Sequence, residues 1–154
     1  MTAALLSDAE RVSLARKSLA FYTTWAHRTD MPEVDEGFAV PQPHHLRILE
    51  RMEDVTPCVL RLPGWKEMGS LQERHTSVVA PPGSSKTTLL QSWYEWLIGL
   101  ASVYWGDNWA DMMHLGHVSH SADQAWRMSF AVRETVASND VFRLCFPKVK
   151  ASDK

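Results

Sequence analysis

Residues 78–90 read VVAPPGSSKTTLL, which joins a short β-branched run, a loop of small residues and the beginning of a helical pattern. The spacing approximates the phosphate-binding pattern G-x-x-x-x-G-K-[ST], in which backbone N–H groups at a helix N-terminus bind phosphate. Lys86 and Thr87 occupy the lysine and hydroxyl positions, whereas Ala80 and Ser85 occupy the two glycine positions. The stretch therefore predicts a phosphate-binding loop that lacks both of its usual glycines.

Two interpretations of this loop are open. In a nucleotide site, the lysine reaches the outer phosphates and the hydroxyl holds Mg²⁺. In the other interpretation, the loop is an ordinary strand-to-helix turn, which is commonly rich in proline, glycine and serine. The β-branched run before the loop and the apolar stripe after it favour the nucleotide site.

Periodicity along the chain predicts the order of elements. Helices are expected over about residues 8–28, 44–55 and 86–105, and from the capping box at Ser121 to about residue 138. Strands are expected at 75–80 and 112–119, and residues 141–154 are expected to form a short tail. Strand, loop, helix, strand and helix in this order predict an α/β fold with parallel strands, a partial P-loop NTPase (RecA-like) core. We place an N-terminal helical segment at 1–56 and the incomplete core at 57–154.

Composition sets broad limits. The 154 residues suffice for one domain, and a formal net charge of -2 provides no basic field that would indicate nucleic acid. Cys58 and Cys145 lie far apart, which favours a reducing compartment over a disulfide framework. The most apolar stretch, Leu89 to Trp105, contains polar residues and is too short to span a bilayer. These features predict a cytoplasmic protein with no membrane association.

Three stretches carry a resemblance to a known family. They are PHHLRILERM at 43–52, PPGSSKTT at 81–88 and GHVSHSADQAWRMSFAVRETVASNDVFRLCFP at 116–147. Together they resemble the N-terminal ATPase region of phage terminase large subunits, the motors that package viral DNA into capsids. The last stretch is the most specific, and the three matches span most of the chain.

The resemblance implies ATP and Mg²⁺ as cofactors and assigns site residues. Lys86 would be the catalytic lysine at the β- and γ-phosphates, and Thr87 would hold the metal. His45, with its neighbour His44, would lie near the adenine. The remaining nucleotide-binding positions are those of the loop and the start of its helix: Pro82, Gly83, Ser84, Ser85 and Thr88.

The resemblance also implies partners. In the complete protein these are double-stranded DNA, the portal and the small terminase subunit, in the cytoplasm of an infected bacterial host. A homo-oligomer is consistent with the family.

Two departures from the family pattern limit the expected activity. Gly83 stands where many members carry an arginine, and after Lys86 no acidic residue follows a run of four apolar residues, as a Walker B strand requires. No carboxylate-rich nuclease follows either. We therefore expect a fragment of a longer protein that binds nucleotide weakly and does not hydrolyse it efficiently. The alternatives are another P-loop NTPase, such as a helicase-like ATPase or a small kinase, and a non-catalytic interaction module.

Other chemical features favour ordinary structural roles. His114, His117 and His120 are spaced three apart, but on a strand they would not converge on a metal. Trp93 and Trp96 lie on or beside the apolar helical stripe, which predicts core packing rather than stacking on bases. Arginine-finger roles for Arg127 and Arg133 are conceivable, but solvated helix arginines are far commoner.

Overall fold

A computed structural model describes residues 6–29, 42–67, 76–79, 85–119 and 121–150 of the chain. The α-helices within these ranges are α1 (Asp8–Lys17), α2 (Leu19–Thr29), α3 (Pro43–Val59), α4 (Lys86–Tyr104), α5 (Trp109–Met112), α6 (Ala122–Ser138) and α7 (Asp140–Cys145). Two short 3-10 helices lie at Trp65–Glu67 and Gly106–Asn108. None of the described helices combines the length and apolar character that crossing a bilayer requires.

The first predicted helix forms two helices instead of one. Ser7 begins α1 with a complete capping box: its hydroxyl accepts the Glu10 N–H at 3.4 Å, and the Glu10 carboxylate accepts the Ser7 N–H at 2.8 Å. Ser18 then adopts an extended conformation, with φ −134° and ψ 119°, and ends α1. The Leu19 N–H that begins α2 donates to the Glu53 carboxylate of α3 at 3.0 Å. Because α1 ends at this point, the Leu19 N–H is available for a hydrogen bond that links α2 to α3.

The helix α4 is the centre of the fold. It packs against α2 and α3, and also against α6 and α7. Its bounds confirm the helix predicted over 86–105. Trp96 is buried and donates its indole N–H to the Ala15 carbonyl at 2.7 Å, while Trp93 packs against the core and donates to the Thr56 hydroxyl at 3.0 Å. Both tryptophans are thus core residues, as predicted.

The predicted α/β core with parallel strands is wrong. About three quarters of the described residues are helical, and none of them lies in a strand or sheet. Within the predicted strands, residues 76–79 and 113–119 follow no regular structure, and Met112 belongs to α5. Val79 and Val118 are 96% and 95% exposed, whereas a parallel strand is buried on both faces. Helices cover α4 on both sides, so the described core is built helix on helix.

The predicted tail contains a helix that the sequence patterns missed. The short α7 follows α6 after one residue, and Asn139 begins it by accepting the Phe142 N–H at 2.8 Å. The Asn139 amide also donates to the Ala26 carbonyl at the end of α2, at 3.1 Å. Five apolar side chains of this region are buried in the core: Val141, Phe142, Cys145, Phe146 and Val149. A segment predicted to be a short tail therefore closes the helical core.

One cluster of buried side chains joins both parts of the chain. It extends from Ala15 in α1 to Val149 after α7. The helix α3 continues through Pro57, past the predicted division at residue 56. The helices on either side of that division thus share a core.

Candidate functional site: a cavity at the beginning of α4

The N-terminus of α4 is the place where the sequence predicts that the phosphate-binding loop joins its helix. Ser85 is its N-cap residue and has φ 55° and ψ 16°, in the left-handed region that favours glycine. Its side chain makes no capping hydrogen bond. Backbone N–H groups of the first helical turn have no partner within a helix, and the helix dipole makes this end favourable for an anion. Ser85 occupies the second glycine position of the phosphate-binding pattern, and its backbone has the conformation that glycine favours.

A cavity of about 550 Å³ lies beside this helix start. Its size falls within the range of about 300–1,000 Å³ that is usual for small-molecule sites. Helix α4 contributes Lys86, Thr87 and Gln91, and α6 contributes Gln124 and Arg127. The segment before α6 contributes His117, Val118 and Ser119. The cavity therefore collects two cations and several hydrogen-bonding groups, which together suit a polyanionic ligand.

Hydrogen bonds hold several of these polar groups in place. The Ser119 hydroxyl donates to the Gln124 side-chain carbonyl at 3.0 Å. The Arg127 Nε donates to the Asp123 carboxylate at 2.9 Å. The Gln91 amide donates to Glu95 Oε1 at 2.9 Å, and the Glu95 side chain is fully buried. The wall of the cavity is thus anchored to the core through Gln91.

The predicted site residues are distributed unevenly around this cavity. Lys86 and Thr87 line it, while Ser85 lies at the helix N-cap. Thr88 does not line it, and its backbone carbonyl accepts the Ser92 hydroxyl at 3.0 Å. Pro82, Gly83 and Ser84 lie outside the described residues, so their predicted contacts with phosphate stay predictions.

His45 belongs to a different part of the structure. It lies in the first turn of α3 and is buried, with 6% of its surface exposed. Its Nδ1 accepts the Gln42 N–H at 3.2 Å, and its ring centroid lies 4.0 Å from that of His44. Burial, and then the neighbouring His44, lower the pKa of His45. This histidine caps α3 and does not line the cavity beside Lys86.

Five polar residues that line the cavity were not assigned to it from the sequence: Gln91, His117, Ser119, Gln124 and Arg127. Gln91 is one helical turn after Thr87, so the helix period places it on the same face. The other four come from residues 117–127, and only folding brings that segment beside α4. The resemblance covered residues 116–147 but assigned none of them to the site.

Neither a cluster of metal ligands nor Cys145 adds reactive chemistry to the part of the chain that the structure describes. No group of three potential metal ligands occurs among them, and no described residue that lines the cavity carries a carboxylate. His120 of the predicted histidine series lies outside the described ranges, and His114 is exposed. Cys145 is fully buried, and burial raises the pKa of its thiol to about 11, which excludes a reactive thiolate. The lining thus fits an anion and does not by itself form a metal site.

A comparison of the chain with protein-family models, curated proteins and solved structures finds no significant match.

Proposed function

We propose that this chain binds ATP in the cavity beside Lys86, as the nucleotide-binding part of a phage terminase large subunit. The observation that carries the proposal is the placement of Lys86 and Thr87 at a helix N-terminus, in a cavity that Arg127 also lines. A lysine, an arginine and a helix N-terminus favour phosphate groups for the same electrostatic reason. The proposal rests on this cavity and on the sequence resemblance, since the described residues form no parallel sheet.

Mg²⁺ enters this proposal as the counter-ion of the nucleotide. Thr87 is the hydroxyl that the resemblance assigns to it, and the described lining supplies no carboxylate. Magnesium commonly keeps several waters and binds through phosphate oxygens with one or two protein carboxylates. Without such a carboxylate we expect weak binding and no efficient hydrolysis by this chain. Contacts with DNA, the portal and the small subunit belong to the proposal only for a complete terminase.

The test is thermal unfolding with and without Mg-ATP. At ten times its Kd, a ligand that binds only the folded state stabilises it by about 1.4 kcal/mol. For a domain of this size, that corresponds to a Tm increase of roughly 3–6 °C. We expect this increase in the wild type and its loss in Lys86→Ala, because the variant removes the cation at the helix start. Lys17→Ala, which changes an exposed lysine in α1, is the matched control and should respond as the wild type does.

Two outcomes contradict the proposal. An unchanged wild-type Tm at millimolar Mg-ATP favours the non-catalytic interaction module. An equal response in Lys86→Ala and the wild type places the nucleotide elsewhere. Phosphate release measured in the same samples tests the expected absence of efficient hydrolysis.

A further inference from the structure

A second cavity of about 330 Å³ lies farther along the same two helices. Tyr94 and Ile98 of α4 form one side, and α6 residues from Met128 to Val136 form the other. His117 and Met128 line both this cavity and the one beside Lys86. Both are open clefts rather than enclosed voids, and the two shared lining residues make them neighbours on the surface.

The chemistry of the second cavity differs from that of the first. Its walls are largely apolar, and three rings line it, those of Tyr94, Trp109 and His117. The Tyr94 and His117 rings meet edge to face, with centroids 6.3 Å apart. Apolar walls with aromatic rings favour a flat aromatic group, since every nucleobase presents a face that stacks on such side chains.

Polar groups at this cavity are mainly donors. Arg133 and Lys150 have no acceptor atoms, and the Ser129 hydroxyl both donates and accepts. The Tyr94 phenol is protonated at neutral pH as in any tyrosine, burial raises its pKa further, and its hydroxyl donates to the Gly116 carbonyl at 3.5 Å. Adenine carries several ring nitrogens that accept hydrogen bonds, so these groups complement its edge.

The separation of the two cavities suits a nucleotide. Lys86 and Tyr94 are eight residues apart on α4, which is about 12 Å along the helix axis at the usual rise. An extended triphosphate and ribose span a comparable distance. A ligand with its phosphates at Lys86 therefore places its base near Tyr94 and Trp109.

We propose that the second cavity is the base-binding subsite for the nucleotide whose phosphates bind beside Lys86. This inference rests on the proposed function and extends it. It replaces His45, which lies in α3, with the aromatic cluster Tyr94, Trp109 and His117 as the contact for the adenine. The phosphate cavity then supplies charge, and the second cavity distinguishes ATP from a bare polyphosphate.

The experiment compares ATP with inorganic tripolyphosphate by isothermal titration calorimetry. Ser129→Phe puts a large side chain at an exposed position that lines the second cavity, and Ala137→Phe does so at an exposed α6 position that lines neither cavity. We expect wild-type protein to bind ATP at least tenfold more tightly than tripolyphosphate. Ser129→Phe should weaken ATP binding about tenfold and change tripolyphosphate binding less than twofold, and Ala137→Phe should change neither.

An independent measurement covers the case in which Ser129→Phe does not fold. Photolabelling of wild-type protein with an azido-adenine analogue of ATP, followed by peptide mapping, should mark peptides that contain Tyr94 to Trp109 or Met128 to Val136. Label confined to the peptide of His44 and His45 overturns the assignment.

The remaining outcomes separate the two proposals. If wild-type protein binds ATP and loses it in Lys86→Ala, but Ser129→Phe binds ATP normally, the base subsite is wrong and the phosphate site stands. Equal affinity of the wild type for ATP and tripolyphosphate also means that the base subsite is wrong and the phosphate site stands. If wild-type protein binds neither compound, the proposed function fails, and the base subsite fails with it.

Discussion

The backbone of Ser85 is the most informative single feature of the candidate site. A non-glycine residue in the left-handed region is uncommon, and the conformation costs about 1–2 kcal/mol. Such strain persists where the surrounding structure holds it, and it is concentrated at functional sites. At Ser85 it coincides with the second glycine position of the phosphate-binding pattern. The left-handed backbone that glycine favours is therefore present at this position although the glycine is absent.

Ser85→Gly should stabilise the protein. Glycine removes the steric cost of the positive φ but adds about 0.5–1 kcal/mol of backbone freedom to the unfolded chain. The net expectation is an increase of about 0.5–1 kcal/mol in the free energy of unfolding, measured by urea denaturation. Ser13→Gly, at an exposed position inside α1, is the control and should lower stability by about 0.5 kcal/mol. A comparable loss in both variants would refute the strain at Ser85.

Among the elements, α4 depends on one small residue at its most crowded point. A Cβ atom at Gly99 would overlap the ring of Phe146, which is itself fully buried just after α7. This close approach lets the last described part of the chain pack on the central helix. Glycine normally weakens a helix by about 1 kcal/mol relative to alanine, so its presence here reflects packing and not helix propensity.

Gly99→Ala should therefore destabilise the protein by about 1–2 kcal/mol, despite the better helix propensity of alanine, because overpacking a rigid core costs about 1–3 kcal/mol. Gly116→Ala is the matched control, since nothing lies within 4 Å of its added Cβ. We expect that control to change stability by less than about 0.5 kcal/mol. Urea denaturation of both variants decides the point. In the Phe146→Leu background, Gly99→Ala should lower the free energy of unfolding by less than it does in the wild type. If the stability changes of the two substitutions simply add, the added Cβ and the Phe146 ring do not overlap directly.

Across the fold, a buried polar cluster connects α2 with α4. The Glu95 carboxylate is fully buried, accepts the Tyr22 hydroxyl at 3.2 Å and lies 3.4 Å from His27 Nε2. His27 Nε2 also lies 2.7 Å from the Ser92 hydroxyl. The serine and the carboxylate thus meet the same nitrogen, whereas a catalytic triad requires them on opposite ring nitrogens. The cluster is a structural link between distant parts of the chain, and it also holds Gln91 of the phosphate cavity.

Glu95→Ala should lower the free energy of unfolding by about 1–3 kcal/mol, because the groups that donate to this buried carboxylate lose their hydrogen-bond partner. Glu134→Ala, at an exposed position of α6, is the matched control and should change it by less than about 0.5 kcal/mol. Chemical denaturation followed by far-UV circular dichroism measures both. A loss below 1 kcal/mol in Glu95→Ala would mean that this cluster does not secure α2 to α4.

Local features were predictable from the sequence because helices satisfy their own hydrogen bonds. The capping box at Ser7, the bounds of α4 and the buried face Met128, Val132 and Val136 of α6 all follow from residues within a few positions of one another. Lys86 and Thr87 at a helix start are equally local. The same reasoning located the candidate phosphate site.

Only the tertiary structure decided the fold class and the shape of the site. A strand has no internal hydrogen bonds, so residues 76–79 and 113–119 would be strands only with a neighbour to pair with, and their local pattern cannot specify one. The helix α7 is short, and its place in the core depends on Gly99 and Ala26, which lie far away in sequence. Gln124 and Arg127 reach the cavity for the same reason. Sequence alone thus determined the long helices α3, α4 and α6 and the lysine at the beginning of α4, whereas long-range packing determined α7 and the surroundings of the site.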